Sequence, residues 1–130
     1  MNFEELQEMV IDWADDKDLL YPKNSEKQFM KFIEEVFEFN VEMEKCLSGD
    51  YSLETWNEEK LFHDGIGRDD NIEYPNGYMK LEMGDILVTL IILCKQLDID
   101  LIECLSLAYK KISKRKGKTI NGTFVKAEDL

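Results

Sequence analysis

Two pairs of carboxylates in this sequence have a spacing that could support chemistry. Glu82 and Asp85 lie three residues apart, and so do Glu35 and Glu38. In an α-helix, residues three positions apart face the same way one turn apart, so each pair could bind one cation. Four carboxylates form an all-oxygen ligand set, which suits hard cations such as Mg²⁺ or Mn²⁺. The acids therefore indicate a divalent-metal site.

The Glu82/Asp85 pair lies in a predicted helix over residues 78–97 that is apolar nearly all round. At about 100° per residue, its polar side chains form a stripe roughly 60° wide. The stripe consists of Tyr78, Glu82, Asp85, Thr89 and Gln96. A helix of this kind is buried, so the stripe is expected to be buried or in a cleft.

No Lys or Arg lies on this stripe, and buried carboxylates are costly unless a cation compensates them. A metal would supply that cation. Gly84, between the two acids, is expected to leave space for a neighbouring helix or a ligand to approach. The alternative is a solvent-facing stripe on an otherwise buried helix.

The Glu35/Glu38 pair lies on the polar face of a second predicted helix. Lys31, Glu35, Glu38 and Glu42 share that face, with Glu34 at its edge. With 28 acids in 130 residues, chance supplies roughly six acidic pairs at this spacing. A solvated charged face therefore remains the alternative for this pair alone. Two such pairs on two long apolar helices are a stronger indication of one shared site.

Four helices are expected to position these acids. Helical periodicity predicts them over about 3–17, 25–47, 78–97 and 101–116. Ser25 with Gln28 predicts a capping box for the second helix, and Asp100 with Glu103 caps the fourth. Gly117 is expected to end the fourth helix.

The remaining segments complete the predicted organisation. Residues 48–77 are rich in Gly, Asp and Asn and predict a long loop insertion, with a short helix around 53–62. In the C-terminal tail, residues 117–130, Asn121-Gly122 between β-prone residues indicates a short β-hairpin. The prediction is an all-α fold, a four-helix bundle core in a single domain over residues 1–130.

Composition excludes several classes of protein. The net charge of −12 argues against general nucleic-acid binding, which needs a phosphate-neutralising surface. No run of about 18 uncharged apolar residues predicts a membrane span. The acidic N-terminus is unlike a signal peptide, and three cysteines without a CxxC pair indicate reduced thiols. We therefore expect a cytoplasmic protein that binds neither nucleic acid nor membrane.

The acids and their surroundings resemble the MazG-like all-α nucleotide pyrophosphohydrolases, in particular the short type found in phages and bacteria. The family pattern EExxE followed by ExxD stands here as Glu34-Glu35-Val36-Phe37-Glu38 and Glu82-Met83-Gly84-Asp85. Trp13-Ala14-Asp15 and the ending from Tyr109 to Val125 also look similar.

The resemblance implies that Glu35, Glu38, Glu82 and Asp85 hold Mg²⁺, with Mn²⁺ as a substitute. It also implies hydrolysis of a (d)NTP between the α and β phosphates to a monophosphate and pyrophosphate, in nucleotide-pool cleaning. Glu34 or Glu35 would orient or deprotonate the attacking water. The family further implies a homodimer or homotetramer.

Four other residues are candidates for substrate binding. Lys111 and Arg115 flank the apolar face of the fourth helix and are expected to contact the triphosphate. The alternative for both is favourable charge at a helix C-terminus. Lys31 is a further phosphate candidate, and Trp13 is a candidate for stacking on the base or else a core residue.

Two other functions are compatible with the sequence. One is a non-enzymatic acidic helical interaction protein, in which the acids would be scattered over exposed faces. The other is a degenerate homologue that binds nucleotides without hydrolysing them.

Overall fold

The structure is a computed structural model that describes residues 1–47 and 77–130. Four helices occur there: α1 (Phe3–Asp16), α2 (Ser25–Leu47), α3 (Gly77–Gln96) and α4 (Leu101–Ile112). Strands β1 (Gly117–Ile120) and β2 (Thr123–Lys126) follow, and short 3-10 turns lie at Pro22–Asn24 and Ala127–Asp129. The predicted all-α class with a C-terminal hairpin is confirmed.

The chain forms two compact units, Met1–Leu97 and Asp98–Leu130. The prediction of a single domain over residues 1–130 stays a prediction. The loop predicted from residue 48 and the short helix within it lie outside the described residues. No helix in the described part of the chain is both long enough and apolar enough to cross a membrane.

In the first unit, α3 packs against both α2 and α1. Gln28, near the start of α2, donates to the Thr89 carbonyl in the second half of α3. Glu35 and Glu38, further along α2, lie close to Glu82 in the first half of α3, so these two helices run antiparallel. The buried apolar residues of this unit are Ala14, Tyr78, Ile91, Ile92 and Cys94. Four of these five lie on α3, which is therefore the central helix that its all-round apolar sequence predicts.

The polar stripe of α3 is largely buried, as expected. Tyr78, Thr89 and Gln96 are all less than one-tenth exposed. The Gln96 amide donates to the Leu19 carbonyl at 2.7 Å and so ties α3 to the segment that follows α1. The solvent-facing alternative is therefore wrong for these three residues, whereas Glu82 is half-buried and Asp85 is exposed.

Of the two predicted helix caps, one is confirmed and one is wrong. Asp100 caps α4 by accepting from the amides of Ile102 at 2.8 Å and Glu103 at 3.4 Å. The Ser25/Gln28 capping box is wrong, because the preceding 3-10 turn leads directly into α2 and Ser25 already has helical backbone angles. This leaves the Gln28 side chain available for its bond to α3.

The fourth helix ends at Ile112, earlier than predicted. Its last turn tightens, with the Arg115 amide donating to the Ile112 carbonyl. Gly117 does not end the helix but begins β1, opposite Lys126. The hairpin turn is Asn121-Gly122, with φ values of 50° and 79°, as the Asn-Gly pair predicts for a two-residue turn.

The Gln96 bond gives a test of the first unit. Gln96→Met should lower the free energy of unfolding by about 1–2 kcal/mol, because the Leu19 carbonyl loses a buried donor. Urea denaturation followed by circular dichroism measures the change. Lys95→Met at the exposed neighbouring position is the control and should change stability by less than about 0.5 kcal/mol. Equal effects at both positions would contradict a role for the bond.

Candidate metal centre

The antiparallel packing of α2 against α3 brings three predicted acids together. Glu35 and Glu38 project from α2 and Glu82 from α3, and one carboxylate oxygen of each lies within 4.8 Å of the others. The two acids on α2 are one helical turn apart, so both can face the same point on α3. We call these three residues the carboxylate cluster.

Burial differs among the members of the carboxylate cluster. Glu35 is 6% exposed and Glu82 is half-buried, whereas Glu38 lies at the exposed edge. One buried oxygen each of Glu35 and Glu82 has no hydrogen-bond partner. Buried polar atoms are almost always paired in folded proteins. These two oxygens are therefore available to bind a cation.

Electrostatics in the carboxylate cluster oppose ionisation. Burial, and then the nearby charges of Glu38, Asp85, Glu35 and Glu42, raise the pKa of Glu82 to about 7. A hydrogen bond shared with Glu35, followed by burial, raises the pKa of Glu38. A divalent cation would remove this repulsion, and oxygen ligands of this kind fit Mg²⁺ or Mn²⁺.

Lys31 provides part of the compensation from α2. Its ammonium lies 3.0 Å from Glu35 Oε1 and 3.5 Å from Glu34 Oε2. The hydrogen bond to Glu35 raises the pKa of Lys31. Lys31 was predicted to bind phosphate, and in the structure it binds the two acids that were predicted to act on water. Glu34 itself is exposed and lies outside the carboxylate cluster.

Asp85, the fourth predicted ligand, is exposed and is not one of the three clustered acids. Partial removal of its carboxyl group from water, and then the charge of Glu35, raise the pKa of Asp85, while Lys31 lowers it. Asp85 therefore lies within electrostatic reach of the cluster, and its role as a ligand stays a prediction. Gly84 is bordered by open space in the described structure, and no neighbouring helix atom lies within 4 Å of where its Cβ would be.

Glu42 is placed on the polar face of α2 by its spacing but is not among the ligands or catalytic residues predicted from the sequence. It is 9% exposed, and one of its oxygens is buried without a partner. Its other oxygen lies 3.6 Å from the Lys45 ammonium. Glu42 lies one turn beyond Glu38 on the same face of α2, and that spacing was the signal that could have identified it.

The remaining predicted residues lie elsewhere. Trp13 on α1 is 51% exposed, so it is not a core residue of the described chain. Lys111 and Arg115 belong to the second unit, where both line a surface cavity.

Comparison with known proteins supports the class of site. The family model of the MazG nucleotide pyrophosphohydrolase domain matches residues 24–120, which is more than half of the chain. The protein therefore belongs to the MazG nucleotide pyrophosphohydrolase family. The matched region contains α2, α3 and α4. Searches of curated proteins and of solved structures gave no significant match.

The raised pKa of Glu82 gives a test of the cluster's electrostatics. Because the folded protein holds this proton more tightly than the unfolded chain, the stability gained from it is complete below pH 4.5 and is lost as pH rises to about 7. Glu82→Gln should remove this loss and raise the Tm of the metal-free protein at pH 8 by about a few degrees. Mg²⁺ should raise the Tm of the wild type at pH 8 more than that of the variant.

Thermal unfolding in EDTA and in Mg²⁺, at pH 5 and pH 8, measures both effects. Glu44→Gln, an exposed acid on the same helix as Glu38, is the control and should behave as the wild type. If Glu82→Gln and the wild type lost stability equally between pH 5 and pH 8, the carboxylate cluster would not be the source of the repulsion.

Proposed function

We propose that this protein is a Mg²⁺-dependent nucleoside triphosphate pyrophosphohydrolase that cleaves a (d)NTP into a (d)NMP and pyrophosphate. The observation that carries the proposal is the carboxylate cluster, which holds unpartnered buried oxygens in a chain of the MazG family. Removal of non-canonical or excess nucleotides from the pool is the role we expect for such an activity.

Glu35, Glu38 and Glu82 would hold the cation, with Asp85 as the fourth ligand. When bound, the cation polarises phosphoryl oxygens and stabilises the charge that develops on them. The protein's own contribution is to fix ligand geometry by packing α2 against α3. This packing is set in part by the bond from Gln28 to the Thr89 carbonyl.

Glu34 and Glu35 are the candidates to orient the attacking water or accept its proton. Lys31 contacts both carboxylates and can fix their side-chain conformations. Glu34 is the better candidate for the proton acceptor, because it lies outside the carboxylate cluster and need not serve as a ligand. Lys111 and Arg115 stay candidates for binding the triphosphate.

We further propose that the protein assembles as a homodimer or homotetramer. Phe3, Leu6, Met9 and Trp13 form an apolar stripe along α1, and each is between 44% and 56% exposed. Residues at these spacings share one helix face. A contiguous exposed apolar surface of this kind is typical of an interface, and a second copy of the chain is the partner we propose.

Removal of a carboxylate that holds the metal should abolish nucleotide hydrolysis. Glu38→Gln and Asp85→Asn should each reduce pyrophosphate release from (d)NTPs by about a hundredfold or more, since each removes an anionic metal ligand. The assay is a screen of canonical and damaged (d)NTPs with and without Mg²⁺.

Glu44→Gln is the matched control and should retain wild-type turnover. Glu34→Gln should lower kcat, but its Tm should still rise on addition of Mg²⁺. Glu35→Gln should lose both its turnover and the rise in Tm. Unchanged activity in both Glu38→Gln and Asp85→Asn would refute this site. Wild-type protein that releases no pyrophosphate from any nucleotide would favour an interaction protein or a nucleotide-binding homologue.

The apolar stripe gives a test of assembly. The double variant Leu6→Glu/Met9→Glu should lower the mass measured by light scattering, because it places two charges in an apolar interface. Lys17→Glu changes the net charge by the same amount at the end of α1, outside the stripe, and should leave the mass unchanged. A monomeric wild type, or an unchanged mass in the double variant, would contradict this interface.

A further inference from the structure

A surface cavity in the second unit is lined mainly by cations. Its volume is about 380 Å³, and its lining residues are Lys111, Arg115, Lys116, Lys126, Ala127 and Glu128. Binding sites for small molecules commonly have volumes of about 300–1,000 Å³. We call this feature the basic cavity.

The basic cavity is built where the chain returns to the end of α4. The Ala127 amide donates to the Lys116 carbonyl at 2.7 Å, and Lys126 pairs with Gly117 across the hairpin. These contacts hold Lys126, from the end of β2, beside Lys116, which follows α4. Charge at a helix C-terminus explains the lysines of α4 itself, but it does not explain Lys126.

Gly117 permits this close return. A Cβ at this position would overlap the Val125 carbonyl oxygen and lie 2.8 Å from the Phe124 ring. Any larger residue would therefore push the two strands apart at the end nearest the basic cavity. The glycine predicted to end a helix instead keeps Lys116 and Lys126 adjacent.

The cations of the basic cavity exceed the acids that line it. In the part of the chain that the structure describes, none of its four cations forms an ion pair, whereas Lys17, Lys31 and Lys45 all do. Glu128 is the acid among the lining residues. In a protein with a net charge of −12, four neighbouring unpaired cations form a local site of attraction for anions.

We propose that the basic cavity binds linked phosphate groups, with Lys116 and Lys126 adding contacts to those predicted for Lys111 and Arg115. Several donors spread around a cavity of this volume suit an extended polyanion better than a single compact anion. Two ligands could supply linked phosphates, namely the triphosphate of the substrate and the pyrophosphate product. Both follow from the proposed function, on which this inference rests. The strongly acidic remainder of the chain disfavours a nucleic acid as the ligand.

Isothermal titration of the full chain with inorganic tripolyphosphate, in EDTA, tests the site without turnover. Lys116→Gln/Lys126→Gln should weaken binding by about tenfold, the loss expected for charge-assisted contacts. Lys110→Gln/Lys118→Gln removes the same charge from the same segment outside the cavity lining and should weaken binding by less than about twofold. Circular dichroism checks that each variant is folded.

Substitution of Glu128 should change the affinity for tripolyphosphate in the opposite direction. Glu128→Gln should strengthen tripolyphosphate binding by about two- to threefold, because it removes a repulsive charge from the lining. Asp129→Asn alters the neighbouring acid outside the lining and should have little effect. A decrease in affinity in Glu128→Gln would contradict binding in the basic cavity.

Competition separates the two sources. Displacement of tripolyphosphate by a non-hydrolysable (d)NTP analogue would support the substrate as ligand, and displacement by pyrophosphate alone would support the product. The proposal would be overturned if both lysine double variants lost the same affinity, or if the wild type did not bind tripolyphosphate. It would also be overturned if the wild type bound orthophosphate or a single-stranded oligonucleotide more tightly than tripolyphosphate.

Failure of the proposed function would be visible separately. Glu38→Gln should bind tripolyphosphate like the wild type while releasing no pyrophosphate from nucleotides. A protein without hydrolytic activity that still binds tripolyphosphate through Lys116 and Lys126 would leave the anion site standing and refute only the enzymatic assignment.

Discussion

The packing of α2 against α3 forces like charges together, and the chemistry of the first unit depends on how that repulsion is offset. Glu35 and Glu82 are brought to the same place with a buried oxygen unpartnered on each. Lys31 neutralises part of the charge from the α2 side. Burial, and then the remaining negative charges, raise the pKa of Glu82 to about 7. A hard cation would offset that repulsion.

The C-terminal half of α3 is anchored to the elements beside it. Most residues of α3 from Thr89 onward are buried. Polar contacts join Thr89 to Gln28 and Gln96 to Leu19. Packing of α2 against α3 would limit the rearrangement needed if a cation bound the carboxylate cluster. By contrast, α1 has an exposed apolar stripe. This stripe supports the proposal that a second copy of the chain covers it.

The second unit has the opposite electrostatic character. Its helix end and hairpin collect unpaired lysines and an arginine, while the first unit collects acids. A chain that acts on a nucleotide needs both properties, since a cation bound to carboxylates and basic side chains can each neutralise phosphate charge. The two properties arise in different compact units, Met1–Leu97 and Asp98–Leu130.

Local sequence determined the features that depend only on neighbours along the chain. The spacing of Glu35 and Glu38 placed them on one helix face, Asp100 capped α4, and Asn121-Gly122 turned the hairpin. These outcomes follow from helical periodicity and from backbone angles, which residues a few positions apart control. The resemblance to the MazG family supplied what periodicity did not, namely that the acids of α2 and α3 belong to one site.

Tertiary structure decided which side chains meet. It buried Glu35 and Glu42 and left Glu34 exposed. It turned Gln28 from a predicted cap into a contact with α3. It also brought Lys126 beside Lys116, ten residues earlier in the chain. Helical spacing predicts the Lys31 pairs. No pattern along the sequence predicts the burial of Glu35, the contact of Gln28 with α3 or the position of Lys126, because these are set by packing between segments distant in the chain.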